Sequence, residues 1–527
     1  MRLLNSHTLD FKNFQDASIR PPYAILSHTW GEDEVTYKEM LKHKDRATLK
    51  QGYRKIKYCA EQAIRDNLAY FWVDTCCIDK SSSAELSEAI NSMFHWYKNA
   101  HICYAFLPDV GVRRDVGVQS LYWRESFAKS RWFTRGWTLQ ELLAPQNLHF
   151  FSSESWKPCG TKVELADKIS QCTGIPSGVL TKSDYAGICV AERISWAAHR
   201  QTARLEDRAY SLLGLLNVNM PMLYGEGEKA FLRLQEEVVK KSTDMSIFAW
   251  TNEFDVNMFK SKFSGLLASS PHAFRGYRRP SHVTYQKSFD SEPYQMTNKG
   301  MSLRLKLTPE GNDSRTSVAI LEGMVDSLSG KYIGVELIKI HGNQYARVRP
   351  DQLVTLDESR YDIPQALSAI YVPQEIEFPL GFRHYDRSSG VILRCSLAYK
   401  DRELLTLSVD PSENWNKTIQ EFPLKQDGFT KWPCAKFKFT EKPSQYSGGF
   451  VVSVDLKRLD WPVQVGDLTG GWGVSQSHKD GHFIQLSSLG RAPGLSGLIT
   501  FVVRVKTDFC IQQDCLKLIL NVNLSVA

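Results

Sequence analysis

No stretch of the 527 residues approaches eighteen consecutive apolar positions, so nothing in the sequence reads as a membrane-spanning helix. Residues 1–20 are interrupted by Asn, His, Asp, Lys and Gln and lack the apolar run of a secretory signal, so the expectation is a cytoplasmic protein. The eleven cysteines are odd in number, spread over the whole chain, and form no paired Cys-x-x-Cys. That pattern argues against a disulfide framework and against a zinc site, so reduced thiols and no metal are expected. The phosphate-binding pattern G-x-x-x-x-G-K-[ST] is absent, which disfavours a nucleoside triphosphatase. No repeat at a fixed period occurs, so neither a propeller nor a solenoid is supported. A net charge of +7 is slight for this length. The densest basic group, Arg275, Arg278 and Arg279, is a short turn ending at Pro280 rather than a charged face, and no nucleic-acid partner is expected.

The composition is that of an ordinary globular protein, 42% hydrophobic and 23% charged, and the length suits roughly three domains. Residues 1–155 read as an α/β unit. Buried strands are expected at Tyr23–Leu26, Tyr70–Val73, Ile102–Leu107 and Leu148–Phe151, with helices at 51–66, 85–98 and 137–143 between them. Alternation of this kind implies a parallel sheet flanked by helices. Residues 156–245 carry helical spacing at 164–173, 191–199, 206–216 and 227–241. From 250 to 527 the period becomes two. The stretches 302–307, 332–340, 391–397, 450–456, 499–505 and 518–524 predict an antiparallel β-rich domain of sandwich type.

Four groups of residues have the chemistry of a site. Ser27, His28 and Trp30 follow the first strand, at the end where parallel sheets bind ligands, although taken alone they favour a turn capped by Ser27 and His28 with Trp30 packed beneath. Asp74, Cys77 and Asp79 follow the second strand. Cys77 with His28, oriented by Asp79, has the makings of a nucleophile pair, while loop aspartates also cap helices. In Trp137-x-x-x-Glu141 the two side chains share a helical face, which would desolvate the carboxylate and raise its pKa. Such an acid suits an oxocarbenium-like transition state at a sugar. Spacing alone, however, favours a surface Glu141 paired with Arg135 or Lys129, with Trp137 in the core. Gly225-x-Gly227 lacks the preceding strand and third glycine of a dinucleotide fingerprint, and reads as a helix entry with Glu226 and Glu228 at its positive end.

The segments YAILSHTWG (23–31), WVDTCCIDK (72–80), RGWTLQELLAP (135–145) and EDRAYSLLGLLNVNMPMLYGEGEKAFLRLQEE (206–237) together resemble the fungal heterokaryon-incompatibility (HET) domain over about residues 20–240. The β-rich remainder resembles the region that follows this domain in many short members of the family. The resemblance implies a role in programmed cell death when unlike fungal cells fuse, and a distant relation to Toll/interleukin-receptor (TIR) domains. Many TIR domains cleave NAD⁺ at the nicotinamide–ribose bond with the glutamate of a W-x-x-x-E motif. Carried over, Glu141 becomes the catalytic residue. Ser27, His28, Trp30, Asp74, Cys77, Asp79 and Trp137 become the walls that bind NAD⁺, which is a substrate rather than a cofactor. The resemblance also implies self-association or recruitment of other incompatibility proteins. The alternative it leaves open is a non-catalytic signalling module that kills by assembly alone.

Overall fold

The computed structural model describes residues 1–375 apart from 16–18, 112–120, 154–155, 186, 253–262, 278–282, 286–291, 310–315 and 358–366, and beyond residue 390 it describes the backbone of strands. The N-terminal sheet contains β1 (Arg2–Asn5), β2 (Phe11–Asn13), β3 (Ala24–His28), β4 (Tyr70–Trp72), β5 (Ile102–Leu107), β6 (Leu148–Ser152) and β7 (Pro158–Thr161), in the order β2-β1-β4-β3-β5-β6-β7. The four strands expected from apolar runs are the parallel centre, β4-β3-β5-β6, with antiparallel strands at both edges. All five residues of β3 are buried, as a central parallel strand covered on both faces must be. The chain steps from β3 to β4 on one side and then to β5 on the other. The sheet therefore reverses direction between β3 and β5, the point at which doubly wound sheets bind ligands.

The helices of this unit are α1 (Tyr37–Lys42), α2 (Lys44–Thr48), α3 (Tyr53–Arg65), α4 (Asp74–Cys77), α5 (Ser83–Lys98), α6 (Leu121–Ala128) and α7 (Thr138–Leu143). Helix α3 buries Ile56, Cys59, Ala60 and Ala63 against the sheet, while Ile64, expected on the same face, is 39% exposed. Ser82 caps α5 by accepting the Glu85 N–H. Helix α7 is buried on every side, Gln140 and Glu141 included. It packs between α5 and β3.

Six further helices follow: α8 (Ala166–Thr173), α9 (Ser177–Lys182), α10 (Val190–Ser195), α11 (Asp207–Tyr210), α12 (Leu213–Leu216) and α13 (Lys229–Val239). The continuous helix expected over 206–216 is two short ones, broken at Ser211-Leu212. Gly214 explains the close seat of α12, because a Cβ there would lie 2.1 Å from the Cβ of Phe94 on α5.

The remainder is β-rich. A ten-stranded sheet includes Gly300–Leu305, Thr316–Asp326, Tyr332–His341, Gln344–Val348 and Ser368–Val372. The expected strand 302–307 is broken at Lys306 into two. Pairing is mostly antiparallel as expected, but Val391–Leu397 runs parallel to Cys515–Val526, and Gln344 pairs in parallel with Tyr371. One hydrophobic core runs from the N-terminal sheet through the helices into the first strands of the ten-stranded sheet. Its crossing is pinned by Arg347, fully buried, which donates to the carbonyls of Phe248 (3.0 Å) and Trp250 (2.6 Å) and lies 4.1 Å over the Trp250 ring.

Candidate functional site

Side chains alternate across a strand, so Ser27 and His28 leave opposite faces of β3. The residues read as one strand-end group consequently divide into two clusters. On the α7 face, the Ser27 hydroxyl donates to Oε2 of Glu141 at 2.5 Å, and the Trp132 indole N–H donates to Ser27 Oγ at 2.8 Å. Tyr97 of α5 stands beside Glu141 and donates its own O–H to the Leu26 carbonyl at 3.0 Å. Ser27 and Trp132 are fully buried and Glu141 is 7% exposed. Burial pushes the Glu141 carboxyl up to about 8, against the Ser27 hydrogen bond, and the nearby charge of Asp74 pushes it the same way as burial. Glu141 is therefore mostly neutral at pH 7. It forms no ion pair with Arg135 or Lys129, contrary to the surface reading of its spacing; Lys129 pairs with Glu125 instead.

On the other face, His28 Nε2 lies 2.9 Å from Asp74 Oδ1, and Lys55 Nζ of α3 lies 2.9 Å from His28 Nδ1. Both ring nitrogens are thereby engaged, Nε2 by Asp74 and Nδ1 by Lys55 and, at 3.2 Å, by the Thr29 carbonyl. Lys55 also pairs with Glu34 at 2.5 Å. The other Asp74 oxygen accepts the Trp30 indole N–H at 2.8 Å. Lys80 completes the group, 3.9 Å from Asp74 and 3.3 Å over the Trp30 ring. Burial alone would raise the Asp74 carboxyl, but Lys80, then His28 and Trp30, outweigh it and hold the group well below the usual carboxylate range. Burial lowers the Lys80 ammonium in turn, against the pull of Asp74. Trp30, 44% exposed, is where this cluster meets solvent.

Three of the expected wall residues lie elsewhere. Trp137 is the N-cap of α7, and its indole hydrogen-bonds Asp207; the indole that reaches the Ser27–Glu141 pair is that of Trp132. Cys77 is buried, its sulfur accepting the Val73 N–H, while the ring nitrogens of His28 face Asp74, Lys55 and the Thr29 carbonyl. Asp79 turns onto the N–H and hydroxyl of Ser81 at the entry to α5. Trp132, Lys55 and Glu34 have no signal in local periodicity; Tyr97 lies in the apolar spacing of 85–98 and Lys80 in WVDTCCIDK, but tertiary contact alone brings each to its cluster.

Both ends of α7 are held. Gly136 N–H donates to Gln201 O and Gln201 N–H to Thr134 O, and Arg200 donates to the Arg135 carbonyl and Thr138 hydroxyl. A Cβ at residue 136 would lie 2.4 Å from the Thr202 methyl, which accounts for the glycine of RGWTLQE. At the other end, buried Lys162 donates to the carbonyls of Leu142 and Pro145, where α7 leaves orphan acceptors.

The Gly225-x-Gly227 segment is a loop with positive φ at both glycines, and its two N–H groups donate to Glu206. The segment is a helix entry as expected, with Glu228 the N-cap of α13, while Glu226 pairs with Arg233 and Tyr210. Of the basic turn, Arg278 and Arg279 lie outside the described residues. Among the described residues no group of three His, Cys, Asp or Glu side chains is arranged to hold a metal, and no helix is long and apolar enough to cross a membrane. Cys59, Cys76, Cys77, Cys103, Cys159 and Cys189 are free thiols.

Residues 23–120 match the family model described as heterokaryon incompatibility protein (HET), and residues 229–305 match a domain of unknown function (DUF8212). The chain is 42% identical over 313 residues to the vegetative incompatibility protein HET-E-1 of Podospora anserina. That match takes in 58% of this chain and 22% of the relative, so the chain spans about a fifth of that protein's length. No solved structure matches.

Proposed function

The chain carries a heterokaryon-incompatibility domain, and from that premise we propose that it is a cell-death effector whose TIR-like α/β unit, residues 1–155, hydrolyses NAD⁺ at the nicotinamide–ribose bond. The observation that carries the reading is a carboxyl group buried at the reversal point of a parallel sheet, with its pKa raised to about 8 and a serine hydroxyl donated to it. The parallel strand order β4-β3-β5-β6 supports the TIR-like part, being the start of the doubly wound order 2-1-3-4-5.

The chemistry asks little beyond such a group. Nicotinamide leaves as a neutral molecule because its ring nitrogen is already cationic, so no general acid is required. The C1′–N bond breaks with its electron pair going to nicotinamide, and the ribosyl cation left behind needs a nearby anion before water adds at C1′. A cation entering beside Glu141 favours its ionised form, so substrate binding itself would generate the carboxylate that stabilises the transition state. In this reading Ser27 and Trp132 hold the acid, while Asp74, with His28 and Trp30 on the opposite face of β3, acts on it through its charge.

Self-association, other incompatibility proteins as partners, a helical extension over 156–245 and a regulatory β-rich unit over 250–527 belong to the same proposal. Cells expressing the wild-type chain should lose NAD⁺ before they die, and cells expressing Glu141→Gln should keep both. Death that persists in the variant with NAD⁺ unchanged would instead favour a non-catalytic assembly module.

A further inference from the structure

Trp132 is fully buried and five residues ahead of the tryptophan of the W-x-x-x-E motif. Its N–H is not spent on a backbone carbonyl. It points at Ser27 Oγ, 2.8 Å away, and that same oxygen lies 2.5 Å from Glu141. An indole N–H only donates, so Ser27 accepts from it and its single hydroxyl hydrogen is left for Glu141. Donation into the oxygen also polarises the O–H bond and strengthens what Ser27 gives onward. Oε2 is thereby the Glu141 oxygen that Ser27 holds.

The ring is fixed independently of this bond. It packs edge-on against Phe133 at 5.1 Å and Phe150 of β6 at 5.5 Å, and Thr138, in the first turn of α7, donates to its carbonyl. A rigid donor, a serine on the central strand and the acid on α7 thus form one directed chain.

We propose that Trp132 is a positioning residue of the site, acting through Ser27 to hold Oε2 of Glu141 and strengthen the hydrogen bond that its carboxylate accepts. The proposal rests on reading Glu141 as the catalytic group, but the hydrogen-bonded chain is testable without any activity. Trp132→Phe keeps the aromatic packing and removes the donor. Below the native pKa of Glu141 stability falls as pH rises, and the fall stops at that pKa. Thermal unfolding of the full chain across pH 5–10, with Glu141→Gln as the baseline, therefore reads where the fall stops.

The expected result is about 8 for wild type, and a value higher by about one pH unit for Trp132→Phe, the size expected when a charge-assisted hydrogen bond to the carboxylate weakens. Ser27→Ala should move it at least as far, and Trp132→Phe added to Ser27→Ala should move it no further. In an NAD⁺ hydrolysis assay the lower pH limb of kcat/KM should shift by the same amount, with roughly tenfold lower kcat/KM at pH 7. A Trp132→Phe protein that is less stable at every pH, with the stopping point unchanged, would reduce Trp132 to packing and overturn the proposal. So would Ser27→Ala with an unchanged stopping point, whether or not Trp132→Phe folds. Shifted unfolding curves without any hydrolysis would leave the chain standing and refute the enzymatic reading instead.

Discussion

Ser27 donates a 2.5 Å hydrogen bond to Glu141, a residue 114 positions further along the chain. This contact ties the end of the central strand to a helix buried on all sides, and it places an ionisable group where its charged form is costly.

Stability should record that cost. The folded pKa of Glu141, about 8, lies above its ordinary 4.5, so the neutral acid's contribution is complete below about pH 4.5 and is lost as pH rises to about 8. Glu141→Gln keeps the shape without the titration. The two proteins should unfold at similar temperatures at pH 5, and the glutamine variant should be the more stable by roughly 5 °C or more above pH 8. Parallel curves from pH 5 to 9 would mean that Glu141 is not held neutral.

Asp74 adds its charge to the burial that raises Glu141. Asp74→Asn keeps an acceptor for the Trp30 indole and removes the charge. Because the ionised form of Glu141 is the active one in this account, kcat/KM should rise with pH through a midpoint near 8, and in Asp74→Asn that midpoint should move to lower pH. A shift in the opposite direction would show that the two carboxylates do not interact as described.

Cys77→Ser should retain NAD⁺ hydrolysis within about twofold of wild type, since the sulfur faces a backbone N–H and not the His28 ring. An inactive Cys77→Ser that unfolds normally would revive a cysteine nucleophile.

A chain ended at residue 250 should be poorly folded over its helical part. Gln235 of α13 exchanges hydrogen bonds with Ala268, Trp250 donates to the Leu266 carbonyl, and Arg347 holds the carbonyls of Phe248 and Trp250. Removing residues 251–527 exposes Phe248 and Trp250 and orphans these polar groups. Aggregation, or a lower unfolding temperature in the far-ultraviolet helical signal, is expected. A truncated chain as stable as the full one would show that the shared core contributes nothing.

Much of the fold was legible because it is written locally. The apolar runs before residue 152 become the parallel strands, and α3, α5 and α13 follow the helical spacing closely. Strand β1 was not legible: it has only two buried residues and owes its existence to pairing with Tyr70 and Phe71. At the site, sequence points to Glu141 and Ser27, but it points to Trp137 as their indole where the structure has Trp132. Trp137 is the N-cap of α7 with helical dihedrals, but its indole is drawn to Asp207, seventy residues away in sequence, a tertiary partner that helical spacing does not reveal. Ser27 and His28 were grouped as neighbours, and the pleat that sends them to opposite faces separates their partners.

The most direct measurement is nicotinamide release from NAD⁺ by the purified full-length protein at pH 8, wild type against Glu141→Gln. The account predicts release by wild type and a loss of about a thousandfold in the variant, the scale of removing a preorganised charge from a transition state. Equal rates in the two proteins, or no release by a folded wild-type chain under conditions where it kills cells, would contradict it.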